Sequence, residues 1–424
     1  METAALIVVL VIALALFFDF TNGFHDTANA MATPIATGAL KPKTAVLLAA
    51  VLNLVGAFLS TEVARTISGG MIREDEISST IFPSIIFAGL IGAITWNMLT
   101  WLLGLPSSSS HALFGGLIGA TLVGASAEAI NVGVVMSKVV LPALIAPLTA
   151  GIIAFTVTKL AYAMTRRYDK KPDGRDGFRW GQIFTSSLVA LAHGTNDAQK
   201  TMGVITLALI TVGWQSSDQP QLWVVFACAV TIALGTYMGG WRIIRTLGKG
   251  LTDVKPAQGF SAEASTASTI LASSALGFAL STTQVASGSV IGSGLGRRGS
   301  KVRWRTVGRI MVGWLLTLPA AGAVGALAAL VVVWLGQIVG VLVGAVAAVI
   351  IILAIFLRSR RNAVTSANAM SGVAESAGAV KVKRNPPPTR RQRALLREQA
   401  RSEAKATKDA AMRSRVDEQK GDHQ

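Results

Sequence analysis

Two carboxylates, Asp26 and Asp197, stand in matching octapeptides, GFHDTANA at 23 to 30 and GTNDAQKT at 194 to 201, each inside a stretch apolar enough to lie in a membrane. A carboxylate at mid-membrane costs about 2.5–3.5 kcal/mol on insertion scales, so each calls for a cation, a proton or a hydrogen-bonded partner. Around them stand Asn22, His25, Asn29 and Thr33 in the first copy, and His193, Thr195, Asn196, Gln199, Lys200 and Thr201 in the second. Gly23 and Gly194 precede the acids, and Pro34 and Gly38 follow the first, a pattern that predicts discontinuous helices with exposed backbone groups. Lys200 and His193 fit an interhelical polar contact, or a buried Asp–Lys pair holding the bundle together, as well as they fit ligand contact.

A second pair offers hydroxyls instead of charge. GLPSSSSHALFGGLIG at 104 to 119 lines up with GFALSTTQVASGSVIG at 277 to 292, so Ser107 to Ser110 and Ser281, Thr282 and Thr283 each precede a Gly-rich apolar segment. Hydroxyls at a helix start combine with backbone N–H groups at the positive end of the dipole, a ready site for an oxyanion. Two carboxylates and an oxyanion in one centre repel one another unless cations enter with the anion or protons neutralise the acids, which predicts obligatory coupling of anion to cation.

The elements that must hold these groups are hydrophobic. Of 424 residues 51% are hydrophobic and only 14% charged, with 42 glycines, which excludes an ordinary soluble domain and indicates an all-α polytopic membrane protein. Apolar runs at 4–18, 44–59, 81–105, 136–158, 222–240, 310–334 and 335–357, together with the motif segments, predict about 11 (10 to 12) transmembrane crossings. Cys228 lies in an apolar segment, and a single cysteine excludes intramolecular disulfides and cysteine metal clusters. Ala28-Asn29-Ala30 resembles a signal-peptide cleavage site, but Met1-Glu2-Thr3 carries no Lys or Arg, so the first segment is expected to be retained, with its start outside.

The interval from Asp26 to Asp197 is 171 residues and that from Gly104 to Gly277 is 173, so the chain is read as a duplicated unit. Lys and Arg collect at Lys41 to Lys43, Arg166 to Arg179, Arg242 to Lys255, Arg297 to Arg309 and after Arg358. Placing all of these inside makes the first copy run outside to inside and the second inside to outside. The expectation is therefore two inverted repeats with Ser/Thr-rich re-entrant motifs, an arrangement suited to alternating access. The divisions are 1–162, the first repeat; 163–180, a basic cytoplasmic linker; 181–309, the second repeat core; 310–357, C-terminal transmembrane helices; and 358–424, a basic cytoplasmic tail.

The segments GFHDTANAMAT, AHGTNDAQKTMG, LPSSSSHALFGG and LSTTQVASGSVIG resemble the four signature regions of the inorganic phosphate transporter (PiT) family, over about residues 15 to 300. The resemblance implies a phosphate symporter of the plasma (inner) membrane and not an enzyme. It implies phosphate binding by Asn29, Ser108, Ser109, Ser110, Asn196, Ser281, Thr282 and Thr283, with His25, Asp26 and Asp197 at the coupling-ion site. His25 stands where sodium-coupled members usually carry Asn, and in this it is similar to the bacterial low-affinity branch, which implies neutral metal-phosphate carried with protons. The chain departs from the family at Ala279, commonly Pro, and at Gln284, often His.

The coupling ion expected is thus a proton, with sodium the alternative; a divalent metal travels with phosphate, and no cofactor is permanently bound. A cation transporter without phosphate and an intramembrane serine hydrolase using Ser107 to Ser110, His111 and Asp26 are the rival classes. The hydrolase is disfavoured because the second copy has Gln284 in place of His111. The tail supplies about half of the net charge of +17 and is expected to be disordered or loosely helical beside anionic lipid. Membrane lipid is the expected surroundings, a homodimer is allowed, and nucleic acid is not a partner because positive-inside loops and the tail account for the charge.

Overall fold

Long apolar runs broken by Gly, Pro and Ser dictate helices of unequal length. The computed structural model describes residues 2–68, 70–73, 76–165 and 176–370. In chain order the helices are α1 (Glu2–Thr37), α2 (Pro42–Gly56), α3 (Glu62–Ser68), α4 (Phe82–Leu103), α5 (Ser109–Gly124), α6 (Val132–Val134), α7 (Leu141–Thr165), α8 (Asp176–Thr211), α9 (Leu222–Met238), α10 (Trp241–Arg245), α11 (Pro256–Ala275), α12 (Thr282–Gly296), α13 (Trp304–Leu335) and α14 (Gln337–Arg361). A π-helical stretch, Val135–Val140, joins α6 to α7, and another, Thr246–Gly250, continues α10. Among the described residues the extended structure is one isolated antiparallel bridge, Ile72 to Ile130. The described residues belong to one compact unit. The second unit, Ala374–Gln424, lies outside the described residues, and with it most of the predicted tail and its expected disorder.

Five of these helices are long and apolar enough to cross a membrane, or six if α9 and its 57° bent continuation count as one span. Leu148, Leu315 and Ile350 stand exposed on helix faces, as hydrocarbon-facing side chains do. The apolar run at 310–357 divides at Gly336, whose φ of 82° ends α13 and starts α14.

The expectation of discontinuous helices at the acids is corrected. Both α1 and α8 run for 36 residues through the acidic octapeptides without a break. Pro34 falls in the last turn of α1, where its missing N–H forfeits one i→i−4 hydrogen bond only as the helix is ending, and Gly38 follows the helix with φ 76°. Gly23 and Gly194 serve packing: a Cβ at Gly23 would meet the Ile232 carbonyl of α9, and one at Gly194 the Asn53 carbonyl of α2.

The breaks come instead at the hydroxyl motifs. Gly104 ends α4 with φ 65°, its N–H donating to Trp101 O at 3.0 Å, and the chain restarts helix at Ser109. Ser108 caps α5 by accepting the His111 N–H at 3.1 Å; Ser281 caps α12 by accepting the Gln284 N–H at 3.3 Å. With 16 and 15 residues, α5 and α12 are about 24 and 22 Å long, short of the roughly 30 Å of hydrocarbon.

The helices that carry the paired motifs, α1 with α8 and α5 with α12, make contacts in a matching pattern. As α1 packs on α9, so α8 packs on α2; as α5 packs on α4 and α13, so α12 packs on α11 and α7. The glycines repeat this at atomic range, since a Cβ at Gly119 would strike the Gly322 carbonyl of α13 and one at Gly292 the Gly151 carbonyl of α7.

Candidate functional site

The helix starts of α5 and α12 converge on the midpoints of α1 and α8, bringing hydroxyls and acids together. Ser109 donates to Asp26 Oδ2 at 2.9 Å, and Thr283 donates to Asp26 Oδ1 at 3.1 Å. The Thr282 hydroxyl reaches both acids, 3.1 Å from Asp197 Oδ2 and 3.4 Å from Asp26 Oδ2. Asn29 stands one turn along α1 and donates to Thr283 at 3.0 Å and to Thr282 at 3.3 Å.

Nitrogen-bearing side chains complete the centre. His25 Nδ1 lies 2.6 Å from Asp26 Oδ1, and its Nε2 faces the hydroxyls of Thr100 and Ser107 at 3.4 Å each. His193 Nε2 lies 2.9 Å from Asp197 Oδ2 and 4.0 Å from Asp26 Oδ2, bridging the two halves. Lys200 pairs with Asp197 and donates to the Leu280 carbonyl at 3.1 Å. All of these side chains are buried, Asp197 and Lys200 completely. One ligand atom each from Asp26, His193 and Asp197 falls within 4.8 Å of the others, a spacing that suits a cation.

Not every predicted residue turns inward in the same way. Ser108 and Ser281 each accept a capping N–H, and Ser110 donates to the Leu280 carbonyl at 3.2 Å. Asn196, the counterpart of His25 at the 171-residue interval, donates to Ser274 on α11 at 3.1 Å. The hydroxyls of Ser109, Thr282 and Thr283 thus satisfy the acids, and the positive ends of two helix dipoles do the same work. His111 and Gln284, equivalent at 173 residues, meet at 3.5 Å and both line an apolar cavity of about 700 Å³, which neither acid lines. The Ser–His111–Asp26 arrangement of a hydrolase is not assembled, since Asp26 takes His25 and Ser109 instead.

Two buried acids escaped the sequence analysis. Asp19, two turns before Asp26 on α1, accepts from Thr201 at 3.0 Å; Glu263 on α11 accepts from Thr33 at 2.5 Å, and Gln182 donates to Thr33 at 3.1 Å. The available signal was an acid inside an apolar or small-residue run, masked in each case by the stronger paired motifs.

A model described as the phosphate transporter family matches residues 22–325. A probable low-affinity inorganic phosphate transporter of Mycobacterium bovis is 53% identical over 370 residues, covering 87% of this chain and 88% of the relative. One of the same description from Bacillus subtilis is 40% identical over 330 residues, covering 77% and 98%. Among solved structures, one titled the sodium-dependent phosphate transporter superposes with a TM-score of 0.69 at 23% identity, over 78% of this chain and all of that one.

Proposed function

The chain belongs to the phosphate transporter family and is a membrane protein and not an enzyme; on that premise we propose that it is a symporter importing inorganic phosphate with protons, the phosphate travelling as a neutral metal complex. The observation that carries this reading is the convergence of two capped helix starts, at Ser109 and Thr282, on two buried carboxylates from equivalent places in the chain. Such a centre offers hydroxyl and N–H donors to an oxyanion only once the acids stop competing for them, and a proton or cation on the acids brings that about.

In this reading His25, Asp26 and Asp197 form the coupling site. Asn29, Ser109, Ser110, Thr282 and Thr283 contact phosphate, Asn196 lies close by, and Ser108 and Ser281 hold the two helix starts in place. Two inverted repeats of about 11 crossings in all would alternate access to this centre, with basic loops and tail inside. The exchange of contacts between α1·α9 and α8·α2 supports the repeat, and the charge asymmetry of the loops supports its inversion. Anionic lipid beside the tail, and a homodimer in the bilayer, belong to the same reading.

Sodium coupling is the second reading, and the fold neighbour's sodium dependence favours it. Radiolabelled phosphate uptake into liposomes containing the pure protein separates the two. Uptake that requires an inward proton gradient and magnesium is expected. Accumulation driven by a sodium gradient alone, with no effect of magnesium or of a proton gradient at fixed pH, overturns the proton reading.

A further inference from the structure

The two halves of the centre are not chemically equal. At the 171-residue interval Asn29 corresponds to Lys200, and each stands three residues after its acid. Asn29 is neutral and turns to Thr282 and Thr283. Lys200 is a fully buried ammonium whose Nζ is held by a carboxylate oxygen of Asp197 and by the Leu280 carbonyl at 3.1 Å.

That carbonyl belongs to the break before α12, and the Ser110 hydroxyl also donates to it at 3.2 Å. A carboxylate oxygen together with a backbone carbonyl at a helix break is the donor set by which hard cations are held in a membrane. The other Asp197 oxygen, Oδ2, faces His193 and Thr282, so the Oδ1 side is the one that the ammonium fills.

We propose that Lys200 is a resident counter-ion occupying a monovalent-cation site at Asp197, so that this half of the protein takes no external coupling ion and only the Asp26 half does. This deepens the coupling part of the proposed function by naming which half is closed to ions. Replacing the ammonium with a neutral group leaves a buried carboxylate without its partner, and an ion from solution then restores the balance. Lys200 is accordingly a residue that sets ion specificity, and Asn, the residue at its counterpart, is the informative replacement.

The test is the thermal midpoint of the purified full chain in sodium chloride against choline chloride at equal ionic strength. Lys200→Asn should show a sodium-dependent rise of on the order of 2 °C or more beyond any response of the wild type. The double variant Lys200→Asn/Asp197→Asn should lose that excess. The readout is a difference from the wild type, so sodium coupling in the wild type, which would defeat the proton reading, leaves this comparison intact. A folded Lys200→Asn with no excess response, its acid satisfied by a proton, overturns the proposal. So does an excess that persists in the double variant, which would put the ion elsewhere. Lys200→Gln serves as a second neutral variant, and failure of both variants to fold in sodium as well as in choline also overturns it, because an ion in the site should rescue them.

Discussion

The Thr282 hydroxyl lies 3.1 Å from an Asp197 oxygen and 3.4 Å from an Asp26 oxygen, so one proton is shared between acids that are 171 residues apart in the chain. A hydroxyl donates one proton at a time, and Thr282 is therefore the group most directly exposed to a change of charge on either acid. Thr282→Ala should weaken phosphate affinity by roughly 1–2 kcal/mol, the scale of one hydrogen bond to a charged group, and Ser109→Ala by a similar amount. Thr282→Ser, which keeps the hydroxyl, should retain most of it. Concentration-dependent uptake in liposomes measures all three.

Asp26→Asn and Asp197→Asn should each abolish transport while leaving membrane insertion intact. Asp26→Asn removes the negative charge that a coupling cation or proton compensates, and Asp197→Asn removes the partner of the buried Lys200 ammonium, whereas an amide still fills the volume and still accepts from the neighbouring hydroxyls. Uptake at the wild-type rate in either variant, at equal abundance in the membrane, would make the acids structural.

His25 distinguishes the coupling ions. Histidine is the side chain whose ordinary titration falls near neutrality, while an Asn at the same place offers an amide oxygen to a cation but carries no exchangeable charge. His25→Asn should flatten the dependence of uptake on the proton gradient, read as initial rate against external pH at fixed internal pH. An unchanged profile would show that His25 does no more than orient Asp26.

The inverted arrangement predicts opposite exposure for equivalent loops. Lys43, in the first turn of α2 after the α1–α2 loop, and Ser216, in the loop after α8, are both exposed. In a Cys228→Ala background, Lys43→Cys and Ser216→Cys should react with an impermeant thiol reagent from opposite faces of the membrane. Labelling of both from one face would end the inverted-repeat reading.

Close packing at the short helices carries its own consequence. A side chain at Gly292 would strike the Gly151 carbonyl of α7, so Gly292→Val should cost about 1–3 kcal/mol of stability, lowering the thermal midpoint. A Cβ at Gly308 would meet no neighbouring element within 4 Å, so Gly308 should tolerate Ala with little change.

The sequence alone determined the chemistry and its doubling: two acids at one interval, two hydroxyl clusters at nearly the same interval, helices of membrane length, and the family. These are local properties, carried by residue type and spacing, and they survive any arrangement of the helices. Only the tertiary structure decided where the helices break. Gly23 and Gly194 look like breaks in isolation, yet each is occupied by a neighbouring backbone, and a helix interior tolerates glycine when the missing Cβ lets another helix approach. Partner choice was equally hidden, because Ser109 and Thr282 reach the acids of other helices across 83 and 85 residues or more of chain. The same is true of Lys200, whose neighbour Asp197 the spacing suggested but whose second contact, the Leu280 carbonyl, exists only because α12 starts beside α8. Spacing along one helix fixes which groups share a face, whereas the crossing of helices fixes what that face meets.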